Sequence, residues 1–542
     1  MKKYIFELKW VILIQILFSA LYAGAISMIP YIRKLLFDDV FSNQFQGLIV
    51  LSLLYFLSVC ANALFQYISQ VYEWKTEMQF NILIKKDLFK AISSLSYKNF
   101  KAKNTGEYLS ILNNDIAVIE NQYLEAIIDI IKSFNMLLIY GVVLFVFIDY
   151  RIATVILVAS LVSVFAPKLT AARLSKLKKE QLYQTGKYMS RVKDFFEGFK
   201  VINSRTRSSI GNVHDSQLEI TERTQYRFGV FRTFSNVLNG FIMDVISLLA
   251  FVVVGFLLYK GEITIGTGIA TFGYIESFIY PIKYILNDIN SINSAKETKE
   301  NVLKFLEQAK SEGKEQLVDF HSDISFKQVT VHYPQFKLDN FSYVFQKRKK
   351  YAIIGHSASG KSTIMNLLMN YTSPLKGEIL VDGKDRSTLD LSQIVHCIHQ
   401  HEHIFADNFD NNATIFNSIS LANVNKTVEQ LGLHSIKNTY DAQLLSGGEK
   451  QMLAIVRMLA ARTPILILDE PYSAMDRVSA ETLNNKLTSL ENHTIILVTH
   501  NVSPGHLKAF DQILIMRNGR LEMSGSYEEV INSDIYSSLS NG

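Results

Sequence analysis

Six apolar segments within the first 290 residues or so constrain this chain more than any other feature of its sequence. The hydrocarbon core of a bilayer is about 30 Å thick, and about 20 helical residues rising about 1.5 Å each cross it. The segments that reach or approach this length are residues 10–29, 47–68, 126–148, 152–167, 236–258 and 263–286. The fourth is short, and only its close pairing with the third through residues 149–151 makes it a span. The sequence therefore predicts six membrane-spanning helices.

The first segment has a second interpretation. Met1-Lys2-Lys3 before it and Ala23-Gly24-Ala25 near its end could form a secretory signal with a cleavage site. We favour a retained first span, because the apolar run continues through Met28-Ile29, beyond a typical signal core.

The distribution of lysine and arginine predicts the orientation. The loop between spans four and five and the segment after span two are rich in both, whereas the other three connections are short and hold few. Cytoplasmic connections carry such an excess. We therefore expect a multi-pass protein of the cell membrane with both termini in the cytoplasm and long intracellular helical loops at about residues 70–125 and 168–235.

Composition changes along the chain. Hydrophobic residues make up 48% and charged residues 19% of the 542 residues, and the charge concentrates after about residue 296. We expect an all-α transmembrane domain at residues 1–310, a linker at 311–318 and an α/β domain at 319–542. The two cysteines show no disulfide or metal spacing, and the net charge of +5 forms no basic tract, so nucleic acid is not an expected partner.

A phosphate-binding loop follows an apolar run that ends at Ile354. Its pattern, G-x-x-x-x-G-K-S, turns backbone N–H groups around phosphates, while Lys361 supplies a positive charge and Ser362 a Mg²⁺ ligand. The loop and the start of the helix after it comprise Gly355, His356, Ser357, Ala358, Ser359, Gly360, Lys361, Ser362 and Thr363.

Four further elements follow in order. Gln400 ends an apolar stretch and could reach Mg²⁺ or a water molecule, and residues 445–451 open an apolar helix with Ser446, Gly447, Gly448 and Glu449 at its start. A buried-strand run then delivers Asp469 and Glu470, and His500 closes another such run.

Together these residues resemble the nucleotide-binding domain of the ATP-binding cassette (ABC) transporter family over about residues 320–530. Walker A corresponds to residues 355–362, the Q-loop to Gln400, the signature to 445–451, Walker B to 465–469, the D-loop to 473–476 and the H-loop to His500. Tyr333 matches the aromatic residue that stacks on adenine. The first half is similar to the six-span exporter fold, with residues 97–100 and 195–198 in its intracellular loops.

The resemblance implies ATP and Mg²⁺ and a role for each site residue. Asp469 would hold Mg²⁺ through water, together with Ser362 and Gln400, and Glu470 would orient or deprotonate the attacking water. His500 would contact the γ-phosphate, and Lys361 and Gln400 complete the catalytic set. The signature residues of one subunit would cover ATP bound to the other, so a second half-transporter subunit is expected; a homodimer is favoured and a heterodimer stays possible.

Three functions remain open on the sequence. The favoured one is ATP-hydrolysis-driven export, by alternating access, of an amphipathic or hydrophobic cargo such as a peptide, lipid or drug-like compound. The alternatives are an importer on the same fold and an ATP-gated channel or regulatory membrane ATPase. Glu470 and His500 together favour turnover over gating. No peptidase-like segment precedes the first span, so we do not expect this chain to mature a peptide cargo.

Placing a charged side chain at mid-bilayer costs about 2.5–3.5 kcal/mol. Charged residues that nevertheless lie inside spans are therefore the candidates for contact with cargo. Asp244 and Glu276 lie about 22 Å and 20 Å along spans five and six from the outer turn and share a depth. They could line a cargo cavity or serve as polar contacts between helices. For Asp129 an ion pair with Lys132 is the favoured explanation.

The chain departs from the family pattern at three places. Ala358 replaces a frequent glycine, Glu449 replaces the usual glutamine, and the stretch between Gln400 and Leu445 lacks a glutamate- and glycine-rich segment.

Overall fold

The computed structural model describes residues 1–41, 47–163, 168–310, 315–400, 402–472, 475 and 477–540. These residues form two compact units. One comprises Met1–Ala91 and Thr105–Glu307, and the other comprises Ile92–Asn104 and Gln308–Gly542. The segment Ile92–Asn104 therefore belongs to the C-terminal unit, although the chain on both sides of it belongs to the first. Of the predicted linker, residues 311–314 lie outside the described part of the chain.

The first unit is helical. Up to residue 310 the helices are α1 (Lys2–Glu7), α2 (Lys9–Phe41), α3 (Leu48–Ser93), α4 (Tyr97–Lys101, in the second unit), α5 (Thr105–Ser110), α6 (Ile116–Ile119), α7 (Glu125–Val143), α8 (Tyr150–Ser163), α9 (Lys168–Glu197), α10 (Arg207–Tyr259) and α11 (Ile265–Lys310). Single π-helical turns, Ile111–Asp115, Glu120–Leu124 and Leu144–Ile148, continue the helix on either side of α6 and after α7.

Four helical stretches of the described chain are long and apolar enough to cross a membrane: Lys9–Val40, Leu48–Ser93, Thr105–Ile148 and Arg207–Tyr259. Each coincides with one predicted span, the second of which was predicted to start one residue earlier, at Gly47. The fourth predicted span coincides with α8, which has 14 described residues, and its end at 164–167 lies outside the described chain. The sixth predicted span coincides with the first half of α11.

The three predicted outer connections meet at one end of the helical unit. Asp38, near the end of α2, accepts a hydrogen bond from the backbone N–H of Gly266 at 3.0 Å. Arg151, in the turn between α7 and α8, pairs with Asp149 at 3.1 Å and with Glu262 before α11. Six spans of alternating direction place their first, third and fifth connections on the same side, so these contacts agree with the predicted order of spans.

The helices pack through apolar side chains, and one polar contact confirms a prediction. The core joins α7, α8, α10 and α11 through side chains that include Tyr140, Ile152, Val254 and Tyr274. Lys132 Nζ lies 3.0 Å from Asp129 Oδ1, which is the predicted local ion pair, and also 3.0 Å from Glu73 Oε2 on α3. Lys132 therefore joins two helices as well as neutralising Asp129.

The described residues of the second unit form three sheets. Its strands are β1 (Glu315–Gln316), β2 (Asp323–Tyr333), β3 (Phe336–Gln346), β4 (Lys350–Ile354), β5 (Lys376–Val381), β6 (Lys384–Asp385), β7 (Leu389–Asp390), β8 (Val395–Ile398), β9 (Ile465–Asp469), β10 (Thr494–Val498), β11 (Gln512–Arg517) and β12 (Arg520–Gly525). The six-stranded sheet has the order β12-β11-β4-β10-β9-β8, the four-stranded sheet β3-β2-β5-β6, and β1 pairs with β7. All pairs in the six-stranded sheet are parallel except β11 with β12.

Helices cover the six-stranded sheet. They are α12 (Lys361–Leu368), α13 (Phe409–Thr414), α14 (Leu421–Leu431), α15 (His434–Lys437), α16 (Gly447–Ala461), α17 (Arg477–Thr488), α18 (Pro504–Leu507), α19 (Tyr527–Ile531) and α20 (Asp534–Ser540). The central strands are continuous apolar runs because both faces are buried. In β9, Ile467 packs into one core and Leu466 into the other, as alternate strand residues must.

Candidate functional site

Four parallel strands end at one edge of the six-stranded sheet and place the predicted site residues there. Val498 of β10 is paired with Asp469 of β9 on one side and with Ile353 of β4 on the other, and Ile398 of β8 is paired with Leu468 of β9. The residues that follow these strand ends are Gly355, Gln400, Glu470 and His500. Parallel strands in α/β sheets bind ligands at their carboxyl ends, and the sequence-predicted residues gather there.

The two glycines that frame the phosphate loop are required by its geometry. A Cβ atom on Gly355 would lie 2.2 Å from the carbonyl oxygen of Met516. Gly360 has a φ of +107°, and a Cβ atom there would lie 2.9 Å from Cζ of Phe336. A larger residue at either position would push the loop out of place.

The backbone conformation at residue 358 explains why alanine there departs from the family pattern. Its φ is +61°, in the left-handed region that L-residues with a side chain adopt at a cost of about 1–2 kcal/mol. Glycine is frequent at this position because it avoids that cost. The loop keeps its conformation here with alanine.

Lys361 is held inside the loop. Its side chain is 5% exposed, and Nζ donates hydrogen bonds to the carbonyl oxygens of Gly355 at 2.8 Å and His356 at 2.9 Å. Burial lowers the pKa of Lys361, and the charges of Glu470 and Asp469 oppose that shift. The buried hydroxyl of Ser359 finds no hydrogen-bond partner within the described residues. A cation and an unused hydroxyl in one loop suit an anionic ligand with several oxygens.

The acidic end of β9 fits a magnesium ion. Ser362 Oγ donates to Asp469 Oδ2 at 3.3 Å, so two hard oxygen ligands from different elements already lie together. Burial raises the pKa of Asp469, and the charge of the adjacent Glu470 raises it further. A bound cation would relieve both effects. Gln400 is the third predicted ligand, and its amide contacts Glu470 in this structure.

Each carboxylate oxygen of Glu470 contacts a neighbouring side chain. Gln400 Nε2 donates to Oε2 at 3.1 Å, and His500 Nε2 lies 2.8 Å from Oε1. The backbone of Glu470 has a φ of +49°, a strained value of the kind that persists at functional sites. Its N–H donates to Val498 O at 2.9 Å, and its carbonyl oxygen accepts from Gln451 Nε2 at 3.3 Å. The surrounding structure thus fixes the position of this carboxylate.

A cavity of about 200 Å³ lies over the loop. Its lining is Phe336, Ser357, Ala358, Ser359, Gly360, Lys361, Ser362, Thr363, Glu470 and His500. Tyr333, the predicted adenine contact, is 41% exposed, and its ring lies 6.4 Å from that of Phe336. Phe336 was not among the residues predicted from the sequence, although it lies opposite Tyr333 in the β2–β3 hairpin.

The signature residues start α16 and explain the second departure. Ser446 caps the helix, and its backbone N–H and its hydroxyl both donate to Glu449 Oε2, at 2.8 Å and 2.7 Å. The two residues form a capping box, for which glutamate serves as well as glutamine. Within the described chain, Ser446, Gly447, Gly448 and Glu449 are not among the residues that line the cavity of the same subunit.

Replacing Glu449 by alanine should lower the melting temperature of the protein, whereas glutamine should preserve it. Hydrogen bonds from the Ser446 side chain and backbone hold the pKa of Glu449 below its usual value. The stabilising contribution is therefore present above the unfolded-state pKa and is lost as the pH falls through the folded-state pKa. Thermal melts of both variants across acid and neutral pH test this. A Glu449→Ala variant as stable as wild type at neutral pH would contradict it.

Part of the predicted site lies outside the described residues. Ser473, Ala474 and Asp476 of the D-loop lie outside the described residues, and so does the side chain of Glu276. Asp244 is exposed on α10.

Comparison with known proteins identifies the family. A model for the ABC transporter transmembrane region matches residues 12–282, which is half of the 542-residue chain, and the ABC transporter model matches residues 338–473. The chain is 26% identical over 477 residues to an ATP-dependent lipid A-core flippase of Photobacterium profundum, covering 83% of this chain and 80% of that protein. It is 27% identical over 462 residues to the glutathione/L-cysteine transport system ATP-binding/permease protein CydD of Bacillus subtilis, covering 79% and 78%.

A solved structure shows the same fold. A bacterial Atm1-family ABC exporter with ATP bound superposes with a TM-score of 0.81 at 18% sequence identity, covering 98% of each chain. The predicted fold class, a helical transmembrane domain followed by an α/β ATPase cassette, is confirmed. The chain belongs to the ABC transporter family, as an exporter-type half-transporter and ATPase in which one polypeptide carries both the membrane domain and the cassette.

Proposed function

We propose that this protein exports an amphipathic or hydrophobic cargo across the cytoplasmic membrane by alternating access, with ATP hydrolysis as the energy source. The observation that carries the proposal is the position of Glu470, beside the phosphate loop and between Gln400 and His500. A protein that only bound nucleotide would not need a carboxylate fixed at this point. Domain boundaries at residues 1–310 and 319–542 and a cytoplasmic cassette are part of the proposal.

We assign each residue of the site a separate role in hydrolysis. The loop N–H groups and Lys361 bind the phosphates, Tyr333 stacks on the adenine, and Glu470 orients and deprotonates the attacking water. His500 contacts the γ-phosphate. Mg²⁺, held by Ser362 and Gln400 and by Asp469 through water, would neutralise charge on the phosphates when bound. Positioning and charge stabilisation account for most of the catalysis in phosphoryl transfer.

A second subunit completes the site in this proposal. Among the described residues, Ser446, Gly447, Gly448 and Glu449 do not line the cavity of their own chain, which is consistent with a role in covering ATP on a partner. Two large side chains just before the signature, Tyr440 and Leu444, are 92% and 82% exposed, which supports an interface there. The motif set of one chain is intact, so a homodimer with two working sites is the favoured assembly, and a heterodimer is the alternative.

The cargo is proposed from chemistry. Asp244 is exposed on a helix that crosses the membrane, and contact with lipid would cost about 2.5–3.5 kcal/mol at mid-bilayer. A cavity shared with a partner subunit, to which we assign Glu276 as well, removes that cost and favours a cationic or amphipathic compound. The relative named as a lipid A-core flippase supports an amphipathic cargo, whereas the relative named as a glutathione/L-cysteine transport system supports a small polar one.

Transport into inverted membrane vesicles tests the proposal. A fluorescent phospholipid, a cationic dye and a peptide serve as separate probes. Export predicts ATP-dependent accumulation of at least one probe, abolished by Glu470→Gln. ATP-dependent loss of preloaded probe would instead support an importer. Passive flux that follows ATP binding and persists in Glu470→Gln would support a channel.

A further inference from the structure

The backbone of Glu470 adopts a conformation that its local sequence does not favour. Its φ is +49°, in the left-handed region that suits glycine better than a residue with a side chain. The next residue is Pro471, and a proline ring restricts the residue before it to extended conformations. Relaxation of Glu470 to an extended backbone would turn its carboxylate away from Gln400 and His500.

Two hydrogen bonds oppose this relaxation. The N–H of Glu470 donates to the carbonyl oxygen of Val498 at 2.9 Å, one residue beyond the last paired positions of β9 and β10. The carbonyl oxygen of Glu470 accepts from Nε2 of Gln451 at 3.3 Å. The first bond fixes the N–H and leaves the rotation of the carbonyl group unconstrained. The Gln451 amide supplies that second constraint.

Gln451 is itself held firmly. It is 7% exposed and lies on α16, whose buried side chains Leu453 and Ile455 pack into two separate cores of the cassette. Arg457 of the same helix donates from Nε to the carbonyl oxygen of Asn412 at 3.0 Å. A buried amide on a packed helix is a donor in a fixed position. The family resemblance assigns residues 445–451 to ATP on a partner, whereas this amide faces its own subunit.

We propose that Gln451 is a positioning residue for hydrolysis in its own subunit. Its amide N–H holds the carbonyl group of Glu470 and thereby keeps the carboxylate between Gln400 and His500. The inference rests on the proposed ATPase site and adds a residue to it. Within the described chain, Gln451 is not among the residues that line the cavity over the phosphate loop. Its loss should therefore change turnover and leave ATP binding intact.

ATP turnover of the reconstituted full-length protein tests the inference. Gln451→Met removes the donor and keeps an unbranched side chain of similar length. It should lower kcat at least tenfold, because a displacement of about 1 Å at a catalytic group can cost about 10²-fold. The KM for ATP and the affinity for a fluorescent ATP analogue should stay within twofold of wild type. Gln451→Glu, which keeps the shape without the amide N–H, should give the same result and serves if the methionine variant does not fold.

A double-mutant comparison separates positioning from general damage to packing. In a Glu470→Gln background, Gln451→Met should change the residual turnover less than twofold, because the carboxylate through which Gln451 acts is already gone. Radiolabelled ATP followed over hours measures such slow turnover. A packing defect would instead lower the residual turnover by the same factor as in wild type.

The matched control is Asn423→Leu. Asn423 Nδ2 donates to the carbonyl oxygen of Ala460 at 3.3 Å, so this change removes an amide-to-carbonyl hydrogen bond of the same length from the other end of α16. It should leave kcat within twofold of wild type. A loss of kcat smaller than tenfold in Gln451→Met, or an equal loss in the Glu470→Gln background, would overturn the inference. Wild-type turnover that Lys361→Ala abolishes shows separately that the hydrolysis site itself stands.

Discussion

Replacing Glu470 by glutamine should lower ATP turnover by roughly 10²- to 10⁴-fold, the range that a positioned general base contributes. Glutamine has nearly the same shape and can keep contacts to Gln400 and His500, so the cavity stays formed. ATP binding should therefore persist while hydrolysis stops. Steady-state phosphate release and binding of a fluorescent ATP analogue, measured on the same preparation, separate the two effects.

The matched control for this change is Glu522→Gln. Glu522 lies on β12 of the same sheet, where it pairs at 3.8 Å with Arg517 at the surface. Its loss should leave turnover unchanged, since surface ion pairs contribute little. Turnover in Glu470→Gln within tenfold of wild type would show that another group activates the water.

Lys361→Ala should lower turnover by roughly 10²- to 10³-fold, as removal of one charge-stabilising donor does in other enzymes. The ammonium of Lys361 is buried among the loop carbonyls and is the cation that the structure places in the phosphate loop. Unlike Glu470→Gln, this change should also weaken ATP binding. Equilibrium binding of the ATP analogue and phosphate release at saturating ATP measure the two losses.

Lys384→Ala is the control for the lysine change. Lys384 is an exposed lysine of the same unit that pairs with Glu315 at 2.5 Å, remote in sequence from the phosphate loop. It should behave as wild type in both assays. Equal ATP affinity in Lys361→Ala and wild type would show that Lys361 does not contribute to phosphate binding.

The sequence was sufficient to predict the ATPase cassette and the position of its phosphate loop, whereas the roles of the individual site residues stay predictions. The spacing of the glycines and the apolar run before the first of them identify the phosphate loop, because the local geometry of a strand followed by this loop requires both. That Gln400, Glu470 and His500 lie close together could be predicted only from the parallel arrangement of the strands before them, because the carboxyl ends of parallel strands lie at one edge of the sheet. Their mutual contacts were not predictable, since two hydrogen bonds on Glu470 depend on side-chain rotamers that pattern does not specify.

Other features of the fold and the site could be recognised only in the three-dimensional structure. The left-handed backbone of Ala358 became visible only with its φ value, although the family pattern had marked the position as unusual. The ring of Tyr97 packs against that of Tyr371, about 270 positions further along the chain, and no local pattern indicates this contact. In the membrane unit, length and apolarity identified spans, while the meeting of Asp38 with Gly266 depended on how the helices pack.

The strand order of the cassette has a consequence for the stage of synthesis at which the ATPase site can assemble. The central neighbours β4 and β9 are both paired to β10, which is synthesised after them. A polypeptide still on the ribosome that has emerged only through residue 490 therefore carries the phosphate loop and Glu470 without the strand that aligns them. We therefore expect a chain truncated before β10 not to hydrolyse ATP, because β10 is the strand that joins β4 to β9.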